Sequence, residues 1–137
     1  MSKLETPMIL RFWESVGGTL IPEFQVVARS PGIGRRLLDA VILPNRPKGQ
    51  AHWSEVRIAG QDVIAVQAKA QRLGMYLMGQ ALFSAELLRR FQPKSIRSII
   101  LCSADDSVLR PLLARYPEVE VVVDGGAPIL TSEEEAG

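Results

Sequence analysis

The stretch Val63-Ile64-Ala65-Val66-Gln67-Ala68-Lys69 decides how this chain folds. Four apolar residues leading into a polar end describe a strand covered on both faces whose last residues reach solvent. A helix follows over about residues 73–91. Its apolar residues Leu73, Leu77, Ala81, Phe83, Leu87, Leu88 and Phe91 keep one broad face, and Pro93 ends it. Residues 96–103 form a second covered strand around Ile99-Ile100-Leu101-Cys102. Strand, helix and strand in this order make a crossover, so the second strand runs parallel to the first.

Upstream, Leu37-Leu38-Asp39-Ala40-Val41-Ile42-Leu43 is another strand, closed by Pro44-Asn45, and Phe24-Gln25-Val26-Val27 precedes it across the turn Ser30-Pro31-Gly32-Ile33-Gly34. Short connections join these strands into an antiparallel meander. Before them, Thr6-Pro7 supplies a helix start and Gly17-Gly18 its stop, with Met8, Ile9, Phe12, Trp13 and Val16 at helical spacing. Residues 46–62 read as a loop in which Ser54-Glu55-Val56-Arg57-Ile58 is a candidate edge strand. After the crossover come a short helix over 107–116 and a last strand, Val119–Val123. The expected fold is α/β, a mixed sheet flanked by helices, in one domain over residues 1–127. Residues 128–137 read as a disordered acidic tail.

At 137 residues and 47% hydrophobic content the chain fits one core. One cysteine, Cys102, excludes an intrachain disulfide, and with one histidine, His52, it excludes a zinc finger. No apolar run reaches membrane-spanning length, so the expectation is a cytoplasmic protein without membrane contact. The net charge of +1 hides a division: residues 29–97 hold 12 basic and four acidic residues, a surplus of +8, while the flanks hold four basic and 11 acidic residues, or −7. A basic middle suits a polyanion partner, and equally an ordinary solvated surface.

Asp39 lies inside an apolar run, where a carboxylate is costly unless paired, hydrogen-bonded or bound to metal. Period-two alternation sets Leu37, Asp39, Val41 and Leu43 on one side of their strand, and Ala65, Gln67 and Lys69 on one side of theirs. If the strands are neighbours in register, Asp39 meets Gln67 and Lys69 on one face. The competing reading is a structural ion pair between Asp39 and Lys69 with Gln67 beside it. Tyr76 and Gln80, four apart on the long helix, share a face, and Arg35 and Arg36 stand just before the Asp39 strand. The five-residue spacing of Gly74 and Gly79 suggests a close approach of that helix to a neighbour.

A helix carrying Glu14, strands carrying Asp39 and Gln67-x-Lys69, then a long helix and an apolar strand resemble the α-β-β-β-α-β core of the PD-(D/E)xK nuclease superfamily, the restriction endonuclease-like fold. The resemblance covers about residues 6–103, with a C-terminal α-β extension. It implies a metal-dependent hydrolase of DNA phosphodiesters. Asp39, Gln67, the Ala68 carbonyl and Glu14 would hold Mg²⁺ or Mn²⁺, and Lys69 would position the attacking water. Arg35, Arg36, Arg72, Tyr76 and Gln80 would contact DNA, and a symmetric homodimer would supply two cutting sites. Leu38 stands where the family's motif has Pro, a residue often absent from the family. Gln67 replaces the family's acid and removes one negative charge from the metal site. The alternative is a catalytically inactive domain of this fold that binds nucleic acid or a protein partner.

Overall fold

The computed structural model describes residues 3–125. The expected tail, 128–137, lies outside them. The first helix, α1 (Glu5–Val16), starts two residues earlier than the Thr6-Pro7 signal suggests, because Pro7 is tolerated inside a first turn. It stops at Gly17, and the next residue, Gly18 (φ +80°), brings the chain against the end of a neighbouring strand, where a Cβ would collide with the Leu43 carbonyl and lie 2.7 Å from the Pro44 Cα.

The first strand, β1 (Thr19–Val27), begins five residues before its expected start and includes Pro22. Proline is admitted because the strand outside β1, the two-residue β3 (Gly49–Gln50), pairs only with Thr19 and Leu20 and leaves Pro22 at an open edge. β2 (Arg36–Leu43) pairs antiparallel with β1 and with β4 (Asp62–Arg72), as the meander requires. Helix α2 (Met75–Arg89) then crosses over to β5 (Ser95–Ala104), which runs parallel to β4, and β6 (Val119–Val123) adds a further parallel strand. The result is an α/β fold whose six-stranded mixed sheet has the order β3-β1-β2-β4-β5-β6.

Two local expectations are corrected. Residues 54–58 form no edge strand: a 3-10 turn, Trp53–Glu55, takes their start, with the His52 side chain accepting from the Ser54 N–H and the Glu55 carboxylate accepting from the His52 N–H. The segment expected as a short helix over 107–116 is a 3-10 turn, Arg110–Arg115.

One helix covers each face of the sheet. Ile64, Val66 and Ala68 of β4 pack with Met8 and Ile9 of α1, while Val63 and Ala65 join the core under Leu88 of α2. In β2, Ala40 and Ile42 face α1 and Val41 and Leu43 face α2, but Leu38 also belongs to the α2 side. Alternation therefore breaks at Asp39. It breaks in β1 at the same level, between Pro22 and Phe24, whose partners are Ala40 and Leu38. The residue between them, Glu23, has φ +50°, a left-handed conformation that turns the strand over.

Among the described residues no helix is long and apolar enough to cross a membrane.

Candidate active site at the fork between β2 and β4

The ladder between β2 and β4 runs from Ile42↔Ile64 through Val41↔Ala65 to Ala40↔Val66 and stops there. The next backbone donors of β4 on that side, Ala68 and Ala70, have lost their partner strand. Two carboxylates replace it: Asp39 Oδ2 accepts from the Ala68 N–H at 2.9 Å, and Glu5 Oε2 from the Ala70 N–H at 3.0 Å. Each satisfies a backbone group that would otherwise be stranded at partial burial. Because a strand residue presents its N–H and C=O toward the same neighbour, the Ala68 carbonyl opens toward this fork as well.

Asp39 is half-buried. Burial pushes its carboxyl above the ordinary value; the Ala68 N–H opposes that rise, the charge of Glu5 adds to it, and Lys69 opposes it more weakly. Lys69 is exposed, and among the described residues it forms no ion pair with Asp39, so the structural ion pair is not formed.

Gln67 goes elsewhere. The residue is 4% exposed, and its side chain donates through Nε2 to Ser84 Oγ of α2 at 2.7 Å. The expected meeting of Asp39, Gln67 and Lys69 on one face fails because the alternation of β2 turns over at Asp39. Glu14 is also separated from the fork. It pairs with Lys48 at 2.8 Å in an exposed bridge, beside Trp13, over which Lys48 Nζ sits 5.4 Å from the ring centroid. Nine residues of helix, about 13 Å, separate Glu14 from Glu5. The acid that α1 brings to Asp39 is Glu5, which the sequence reading passed over because it began the helix too late.

On the α2 side, a cavity of about 460 Å³ gathers Arg36, Leu37, Gln67, Tyr76, Gln80 and Ser84 along its lining. Tyr76 and Gln80 thus share a face as their spacing implied, and Gln67 connects the cavity to the strand that forms the fork. Arg35, Arg36, Lys69 and Arg72 are all exposed around this end of the sheet. Arg72 Nη1 donates to the Asp105 carbonyl. Gly79 has nothing within 4 Å of its missing Cβ, and Gly74 is the residue that precedes α2, so neither glycine serves a close helix approach.

The donor types at the fork, two carboxylates and a backbone carbonyl, are the hard oxygen ligands that Mg²⁺ or Mn²⁺ would take. No group of three or more His, Cys, Asp or Glu side chains poised for a metal occurs among the described residues. Gln67 would join the set only by releasing Ser84.

No family model matches the chain, and searches of characterised proteins and of solved structures return no significant match.

Proposed function

We propose that this protein is a metal-dependent phosphodiesterase acting on DNA, with a restriction endonuclease-like core. The observation that carries the proposal is the fork: β2 and β4 separate after Ala40↔Val66, and Asp39 and Glu5 take the freed N–H groups next to Lys69, which is exposed and forms no ion pair among the described residues. Core packing does not require two acids there. Asp39, Glu5 and the Ala68 carbonyl would hold Mg²⁺ or Mn²⁺, which offsets charge building on the phosphoryl group and acidifies a bound water. Lys69 would orient that water or meet the phosphate, and Arg35 and Arg36 would hold the flanking backbone.

A second reading is favoured by one observation, the engagement of the neutral Gln67 with Ser84. On that reading the domain binds nucleic acid without cutting it.

Plasmid and branched-DNA cleavage in Mg²⁺ or Mn²⁺ separates the two. The nuclease reading expects cleavage that Asp39→Ala and Lys69→Ala each reduce by at least about a hundredfold, with Glu14→Ala unaffected. Equal cleavage rates for all four proteins would overturn the assignment of Asp39 and Lys69, and no cleavage beside salt-sensitive binding would establish the second reading.

A further inference from the structure

We infer that the cavity between α2 and β2 receives one unstacked base of the DNA, so that the substrate is unpaired at the site of action. The inference rests on the reading of this protein as one that engages DNA, and it deepens that reading.

Three features of the cavity point to a base. Tyr76 stands at its lining with 75% of its surface exposed, an aromatic face left to solvent where folding had every reason to bury it. Phe83, seven residues on and on the same side of α2, is exposed as well, about 10 Å further along the axis. The lining deep in the cavity is polar: the single hydrogen bond between Gln67 Nε2 and Ser84 Oγ leaves the Gln67 Oε1 without a partner among the described residues, although the residue is 4% exposed. A buried acceptor left open is costly unless a ligand meets it. The carboxamide and hydroxyl together offer both an acceptor and donors, which is what the hydrogen-bonding edge of a base requires. At the mouth, Arg36 is exposed and forms no ion pair among the described residues, placing a positive charge where the attached phosphate would lie.

The volume supports the same ligand. About 460 Å³ lies within the range of sites that enclose small ring systems, and far below what a duplex would need. Paired bases present their edges to each other and their faces to neighbours, so only an unpaired nucleotide can give this cavity both. Gln67 and Ala68, neighbours on β4, face opposite sides of the sheet, so the cavity on the α2 side and the fork on the α1 side share that strand.

The test is equilibrium binding by the full chain in EDTA, read by fluorescence anisotropy. The probes are a labelled single strand of about 12 nucleotides, its duplex, and an abasic version of the single strand. The intact single strand is expected to bind about tenfold tighter than the other two. Tyr76→Ala should remove that tenfold preference for the intact single strand, and Tyr76→Phe should keep it. Because the ring is exposed, neither variant should alter folding, which circular dichroism checks. Equal affinity for abasic and intact strands, or a Tyr76→Ala protein indistinguishable from wild type, overturns the base site. Since no metal is present, cleavage is a separate readout. A base preference without Mg²⁺-dependent cleavage keeps this inference and removes the hydrolase; cleavage without a base preference does the reverse.

Discussion

At Asp39, loss of water and a backbone hydrogen bond pull the carboxyl in opposite directions, and the loss of water prevails. Its pKa in the folded chain therefore lies above the ordinary 3.8. Between those two values the folded protein holds a proton that the unfolded chain has released, so this residue's contribution to stability falls as pH rises through the window. Asp39→Asn keeps an oxygen for the Ala68 N–H and never ionises. Thermal melts of the two proteins should coincide below pH 3.8 and separate above it, the variant being the more stable at neutral pH. Asp62, Asp106 and Glu120, whose pKa values are lowered by hydrogen bonds to Ser95, Leu109 and Arg97, respond in the opposite sense but are common to both chains. Parallel melting curves would show that Asp39 is not held as described. The sequence made Asp39 conspicuous because a lone acid in an apolar strand demands an explanation. It did not reveal Ser84 or Glu5 as partners. Ser84 meets Gln67 only once α2 has folded back on β4, and Glu5 meets Ala70 across 65 residues of chain.

Among the elements, β2, β5 and β6 were legible to within one residue at each end because their apolar residues mark them, whereas β4 runs three residues past its expected end at Lys69, through the polar Gln71 and Arg72. What pattern alone could not supply was the reversal at Glu23 and Asp39. Alternation is a rule for unbroken strands, and a single left-handed residue in one strand lets two neighbours turn over together. Two glycines test how the elements are held. Gly18→Ala forces a left-handed alanine against the Leu43 carbonyl and should destabilise by roughly 2–4 kcal/mol in urea unfolding. Gly79→Ala, in open space within α2, should stabilise by about 1 kcal/mol. Since Gly79 also lines the cavity, a gain in stability accompanied by weaker single-strand binding would separate what the glycine costs from what it permits.

Across the whole molecule, the surplus of +8 over residues 29–97 becomes a property of place, because Arg35, Arg36, Lys69 and Arg72 come together around the fork although two of them precede β2 or open it and two lie at the end of β4. If these four meet phosphates, the logarithm of DNA affinity should fall against the logarithm of salt with a slope of about −3 to −4, and Arg36→Ala should reduce its magnitude by about one. A flat salt response would assign the charge to ordinary solvated surface. Cys102 meets the opposite condition. It lies in β5 between β4 and β6, fully enclosed, and burial pushes its thiol up. A maleimide added to the native protein should therefore react only as fast as the central strands part, with denaturant accelerating it along the global unfolding curve. The one sulfhydryl of this chain is thus a built-in clock for its rarest opening, and cysteines introduced at the cavity mouth can be tagged without competition from it.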